Sequence, residues 1–491
     1  MVTQTSPLGP RFFVLTLMWL ALTWSHFASV QETSKRQGVP LKDVDRRIYD
    51  KIILTLQSPW ARNLVPMLTR GVDLTAPYER RLSANPSDAA LRYRYAIVLM
   101  AVQRKEEARR QLNRLIKEER SAQLSSALRD AFHLEDGQKG DGTSGVPIDL
   151  RPPSEWPTPD SESPQGQAHG GEPHGISSAD VARDEGLLRA RVDGWPLKLA
   201  LRAVYERGGL LQEARHARRE LESQASRTAL GLCLIGCALA GSFVLGIVVL
   251  VVYFAAAPSW NLRPQTETPA VSAIAGWSLV VAWQLVSLAV QMAVLVASRG
   301  TWHPSILGIL GIQLVIYAVT ALLIHRVIGG RWERLGLNRR NWAACGALGL
   351  AMFWAAFVFI VITALLMVRV SGQDPSKNTV FQLIADNTTT PLQIVTLLLF
   401  VCFLGPLFEE ILFRGVLYTA MRQVMRARWA IPLSAFVFAA VHGDLGALMP
   451  LTVLACVLAW GFERTGSLIP STVTHCLWNT QVFLIVVFLF L

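Results

Sequence analysis

The chain has 491 residues, of which 51% are hydrophobic and 17% charged, and its formal net charge is +11. The basic balance does not mark a nucleic-acid binder, because the arginines are scattered over helical faces and loops with no clustered basic, aromatic-bearing module. The six cysteines (Cys233, Cys237, Cys345, Cys402, Cys456 and Cys476) all fall in apolar segments, where free thiols act as small hydrophobes, so no disulfide framework is implied.

Residues 1–30 read as an N-terminal signal or anchor. Arg11 precedes an apolar run from Phe12 to Phe27, about the length of a signal h-region and slightly short for a span. Residues 31–228 read as a soluble, mostly helical domain. From Asp88 to Glu119, apolar or small residues at Leu91, Tyr95, Val98 and Leu99 precede a polar turn at Gln103-Arg104-Lys105, and Ala108, Leu112 and Ile116 follow; this is helix-turn-helix periodicity. A second copy runs from Trp195 to Leu221, with Leu197, Leu201, Val204 and Tyr205 before a turn at Gly208-Gly209. Both resemble single tetratricopeptide (TPR) units of about 34 residues, whose usual use is binding a protein partner, and plain helical hairpins account for the pattern equally. Between them, about 136–178, a Gly-, Pro-, Ser- and Asp-rich tract has too few apolar residues to offset the entropy of ordering and reads as a disordered linker. Its His169 and His174 lack spaced partners and read as solvated.

Residues 229–491 carry eight apolar segments: Ala229 to Phe254, Pro269 to Ala297, Pro304 to Leu323, Ala343 to Val368, Pro391 to Phe413, Ala430 to Val441, Ala447 to Phe462 and Thr472 to Leu491. Trp260, Trp302, Trp342 and Trp429 sit near segment ends, as interfacial aromatics do. The fold class is therefore all-α, a polytopic membrane helix bundle of about eight helices preceded by a TPR-like domain. Arg326, Arg331, Arg334, Arg339 and Arg340 after the third segment, and Arg414, Arg422, Arg426 and Arg428 after the fifth, place those loops in the cytoplasm. Counting back through three spans puts the domain before Ala229 outside, along with the loop Ser371 to Thr390, which carries the glycosylation sequon Asn387-Thr388-Thr389.

Charges inside the apolar runs need a reason, because an ionised side chain at membrane depth costs several kcal/mol and such groups usually find partners and mark function. Glu409, Glu410 and Arg414 lie in the fifth segment, His442 at the end of the sixth, and His475 and Asn479 in the eighth. Glu410 and Arg414 are i and i+4 in the favourable acid-first order, so Arg414 is expected to hold Glu410. Glu409 points about 100° away and is expected to project as a free carboxylate. Phe438 with His442, and His475 with Asn479, are likewise i and i+4 and share helical faces. Converging, these groups orient a water between Glu409 and a histidine while the other histidine and the asparagine donate to a developing oxyanion, which is hydrolysis of an amide without a covalent intermediate. With the sixth segment starting at Trp429 in the cytoplasm, His442 lies roughly 20 Å further along at 1.5 Å per residue, so a tilted or broken sixth helix is needed to bring it level with Glu409.

At these residues the chain resembles the CAAX-protease and bacteriocin-processing (CPBP) family of intramembrane glutamic endopeptidases. The family pattern EExxxR, FxxxH, HxxxN is met in order by Glu409, Glu410 and Arg414, by Phe438 and His442, and by His475 and Asn479, and the text Glu463-Arg464-Thr465-Gly466-Ser467-Leu468 also fits. The resemblance covers roughly Gln393 to Val487. It implies a water activated by Glu409 with help from His442, an oxyanion side formed by His475 and Asn479, membrane lipid around the bundle, and a peptide or protein substrate, prenylated in the CAAX branch. No cofactor is expected: the HExxH helix of a zinc peptidase is absent, as is the Gly-Ser-Gly nucleophile of a rhomboid-type protease. The family also contains immunity and scaffold proteins, so the alternative function is a non-catalytic membrane scaffold or immunity protein that binds a partner through the helical domain. The large exported domain is unlike the compact CAAX enzymes and suits a bacterial plasma membrane.

Overall fold

The computed structural model describes residues 42–63, 69–70, 72–117, 128–129, 131–132, 177–256, 271–297, 306–337, 341–371, 390–444 and 446–490, with residues 16, 18 and 19. The linker of about 136–178, apart from its last two residues, lies outside them, as do Arg339, Arg340, Trp260, Trp302 and the sequon at Asn387. The chain divides into two units, Lys42–Ile235 and Met1–Leu41 with Gly236–Leu491. Every regular element among the described residues is helical.

In the first unit, α1 (Lys42–Thr55), α2 (Ala76–Ala84), α3 (Ala89–Ala101), α4 (Lys105–Lys117), α5 (Ser178–Arg189), α6 (Gly194–Arg207) and the start of α7 (Leu211–Ala256) share one apolar core. The Asp88 carboxylate caps α3 by accepting from the Leu91 N–H at 2.9 Å. Both expected helix-turn-helix segments are helical hairpins, and both turns are made the same way. Gln103, at φ 65°, lets the Arg104 N–H reach back to the Leu99 carbonyl at 2.8 Å, and Gly209, at φ 71°, lets Leu210 reach Tyr205 at 2.9 Å. Leu91, Tyr95, Val98, Leu99, Ala108 and Leu112 from one hairpin, and Leu201, Val204 and Tyr205 from the other, are buried in that core. A polar network crosses it: the Tyr78 hydroxyl donates to Asp50, and Arg94 donates to Asp50 at 2.9 Å and to Asp193. Burial, then the Asp50 charge, pushes the Tyr78 phenol well above its ordinary value, so it stays a neutral donor.

In the second unit, seven helices are long and apolar enough to cross a membrane among the described residues: α7, α8 (Ala273–Ala297), α9 (Ile306–Ile328), α10 (Trp342–Ser371), α11 (Pro391–Val424), α13 (Leu448–Thr465) and α14 (Ile469–Phe490). An eighth, α12 (Ala427–Ala440), has 14 residues with Pro432 inside. The chain is an integral multi-pass membrane protein. Of the N-terminal apolar run, Trp19 is buried and meets Trp277 of α8 edge-on at 5.9 Å.

The fifth segment ends later than its composition suggests, and this corrects the limits read from sequence. α11 continues to Val424, so Arg414 and Arg422 are helical residues and not loop residues. Arg414 is 2% exposed, and its charge is answered inside the protein. The longer helix also removes the depth conflict. α11 runs about 22 Å beyond Glu409 before the turn at Met425, and α12 brings the chain back over a similar length to His442, at about 1.5 Å per residue. Phe438, 11 residues into α12, accordingly meets Phe413, 11 residues before the end of α11, at 5.1 Å edge-to-face.

α14 is held at its start and along its length. The Gly466 N–H closes α13 on the Phe462 carbonyl at 2.8 Å, and the Leu468 N–H donates to Gly336 at 2.9 Å. Gly336 has φ 90°, and a Cβ there would stand 2.7 Å from the Phe462 ring and 3.0 Å from the Gly466 carbonyl. Further along, the buried Thr474 hydroxyl donates to the Gly349 carbonyl of α10 at 2.8 Å, where the two backbones come too close for any side chain at 349.

Candidate active site

α11 is not a uniform α-helix. Thr390 and Gln393 form a capping box at its start, and π-helical turns at Phe400–Leu404 and Ile411–Tyr418 bracket the short α-helical stretch Gly405–Glu410. The first π turn has a chemical cause. The Gly405 N–H donates five residues back, to Phe400, and the same register for the Val401 carbonyl requires Pro406, which has no N–H. The Asn479 side chain supplies the missing donor, its Nδ2 reaching the Val401 oxygen at 2.8 Å from α14. The second π turn is compensated in the same manner by the Thr419 hydroxyl, which donates to the Arg414 carbonyl at 3.1 Å.

The charged cluster is built on the α-helical stretch and the second π turn. Arg414 donates to Glu410 at 2.7 Å, and Glu410 is fully buried. The guanidinium also lies 4.5 Å over the Phe438 ring and reaches the Ala455 carbonyl at 3.5 Å. His475, 3% exposed, places Nδ1 2.8 Å from the same Glu410 oxygen and turns Nε2 toward Glu409, 3.7 Å away. An ionised Glu410 only accepts, so Nδ1 carries a proton and donates; in the neutral ring Nε2 is then a bare lone pair facing Glu409. Glu409 is 24% exposed and forms no hydrogen bond to protein among the described residues. Arg414, Glu410, His475 and Glu409 thus form one chain of contacts running from a buried cation to a partly exposed carboxylate.

His442 is placed differently. It lies just past the end of α12, exposed, with Nδ1 donating to the Phe438 carbonyl at 2.7 Å and its ring 4.8 Å from that of Phe438. No carboxylate lies within 4.0 Å of it among the described residues. Phe438 is the hub, since its ring meets His442, Arg414 and, edge-on at 5.7 Å, His475. The histidine beside Glu409 is therefore His475, where the resemblance had implied His442. Asn479 commits one N–H to Val401, and its other N–H and carbonyl oxygen are not used by that bond. Among the described residues no three His, Cys, Asp or Glu side chains are grouped to hold one metal ion.

A clamp at the other end of α11 was not singled out from the sequence. Glu463 of α13 accepts from the Tyr418 hydroxyl at 2.8 Å and from Arg422 at 3.1 to 3.3 Å, while Arg422 also donates to the Met425 carbonyl at 2.9 Å. Tyr418 and Arg422 are i and i+4, and Glu463 is a lone acid late in an apolar run, so the signal was present once α11 is known to extend past Phe413.

Two carboxylates, an arginine and a histidine are thus joined within one multi-pass helix bundle. Residues 391–481 match the family model described as type II CAAX prenyl endopeptidase Rce1-like. A candidate membrane peptidase of Bacillus subtilis (strain 168), YdiL, is 27% identical over 177 residues, covering 35% of this chain and 68% of the relative. No solved structure matches. These similarities support a membrane protease of the CAAX type acting on a peptide or protein.

Proposed function

We propose that the chain is an intramembrane, metal-independent glutamic endopeptidase in which Glu409 and His475 activate water. The observation that carries this is the 3.7 Å separation of the Glu409 carboxylate from His475 Nε2, while the other ring nitrogen is occupied by Glu410. That gap exceeds a direct hydrogen bond and suits one shared water. Such a water donates one hydrogen to each acceptor and is left with its oxygen lone pairs toward a peptide carbonyl carbon. As the C–O bond forms, Glu409 takes the proton and later passes it to the leaving nitrogen. Arg414 keeps Glu410 ionised and Glu410 keeps His475 in the required tautomer, as the buried carboxylate does in a serine-protease triad. His442, exposed beside the cluster, is assigned to the leaving-group side when protonated, and the spare Asn479 N–H to the oxyanion.

The substrate proposed is a peptide or prenylated CAAX-type protein entering from the lipid phase, the N-terminal helical unit lying outside the cytoplasm of a bacterial plasma membrane and contributing a partner-binding surface. The test is cleavage, in detergent and in liposomes, of a fluorogenic farnesylated CAAX peptide and of a peptide library by wild type, Glu409→Gln and His475→Ala, with and without a zinc chelator. Cleavage abolished in both variants and untouched by the chelator is expected. Chelator-sensitive turnover, or full activity in Glu409→Gln, sinks the glutamic mechanism. A wild type that cleaves nothing, with partner binding intact in Glu409→Gln, supports the scaffold alternative instead.

A further inference from the structure

One polar residue close to Glu409 has no role in that scheme. Tyr317 of α9 stacks on Phe408 with ring centroids 3.9 Å apart and on Phe400 at 5.5 Å, the planes 16° and 10° from parallel. Wedged against both rings, it brings its hydroxyl to 3.7 Å from the point where a Cβ on Gly405 would stand. Gly405 and Glu409 are i and i+4 in the α-helical stretch of α11, so they share one face. Helical side chains lean toward the N-terminus and cover the turn before their own Cα. The Glu409 carboxylate therefore leans over Gly405, where the Tyr317 hydroxyl already is, and the lack of a side chain at 405 keeps that space open. The two groups interact electrostatically, and no direct hydrogen bond joins them. Gln313 lies one turn earlier on α9, on the same helix face as Tyr317, and the phenol can donate its O–H proton.

We propose that Tyr317 is a further catalytic residue, its O–H donating a hydrogen bond to the oxyanion of the tetrahedral intermediate formed beside Glu409. The inference rests on the peptidase reading above. When the water oxygen bonds to the carbonyl carbon and Glu409 takes its proton, the carbonyl π pair moves onto oxygen, and Tyr317 stabilises that charge without giving up its own proton. On collapse the pair returns, the C–N bond breaks, and the proton on Glu409 goes to the nitrogen. The aromatic stack fixes the donor before reaction, so no reorganisation is needed when the charge develops.

Tyr317→Phe retains the ring and both stacks and deletes only the hydroxyl. With the fluorogenic farnesylated CAAX peptide, kcat is expected to fall about 10²-fold, with KM changed by less than about threefold and the thermal unfolding midpoint unaltered. A phosphinic analogue of the same peptide, which carries a tetrahedral centre, is expected to lose affinity by a similar factor, because the lost contact exists only in the transition state. Tyr317→Phe with wild-type kcat beside an inactive Glu409→Gln overturns the assignment and leaves the peptidase reading standing. A fall in kcat with undiminished affinity for the phosphinic analogue also overturns it, since the effect is then positional. Turnover by Glu409→Gln, or none by wild type, overturns both.

Discussion

Replacing Arg414 by Met tests whether the cluster is held together by buried charge. Glu410 is fully buried and Arg414 is 2% exposed, with 2.7 Å between them. Removing the guanidinium leaves a carboxylate in an apolar interior with no cation beside it among the described residues other than a protonated His475, a loss of about 3–5 kcal/mol for a buried pair broken on one side. The contact with the Phe438 ring at 4.5 Å adds a cation–π contribution of about 1 kcal/mol. The ratio of folded to unfolded protein should fall by about 10² to 10⁴, read by denaturant titration in detergent with tryptophan fluorescence. The double variant Glu410→Gln/Arg414→Met removes the stranded charge and should recover about half of the loss or more, because replacing both members of a buried pair is often nearly neutral. Its activity should stay absent, since His475 no longer has an anionic acceptor. If Arg414→Met costs less than about 1 kcal/mol, as for an exposed pair, or if the double variant loses the plain sum of both singles, the account of a coupled buried pair is wrong.

The π turn in α11 makes a second expectation: Asn479→Ala strands the Val401 carbonyl and should cost about 1–3 kcal/mol, but much less in a Pro406→Ala background, where residue 406 offers an N–H of its own; equal cost in both backgrounds, measured by the same titration, refutes it. The close approach of α10 and α14 makes a third. A Cβ at Gly349 would stand 2.7 Å from the Pro470 carbonyl and 2.9 Å from the Val473 Cβ, so Gly349→Ala should destabilise by about 1–3 kcal/mol. Gly311→Ala, which meets nothing within 4 Å, should change stability by less than about 0.5 kcal/mol in the same thermal unfolding assay.

Much of the site was legible because burying charge in an apolar run is costly wherever the run folds. That cost singles out Glu409, Glu410, Arg414, His442, His475 and Asn479 from the sequence, and local geometry adds the Glu410–Arg414 pair, since i,i+4 neighbours meet on any helix. The helical hairpins of the first unit were legible for the same reason: Asp88, Gln103 and Gly209 act on backbone groups within a few residues of themselves. Segment limits were not local. Composition ends the fifth span at Phe413 because Arg414 is charged, whereas the helix continues because Glu410 and Phe438 answer that charge from within the protein.

What the sequence determined by itself, then, is which side chains need partners and which pairs within one turn supply them. Only the tertiary structure decided that His475 and not His442 stands beside Glu409, that Asn479 reaches back to a carbonyl orphaned by Pro406, and that Tyr317 shares the space above Gly405. Each of these contacts joins helices separated by tens of residues, and its geometry is set by how α9, α11, α12 and α14 pack, a property of the whole bundle that no single helix carries.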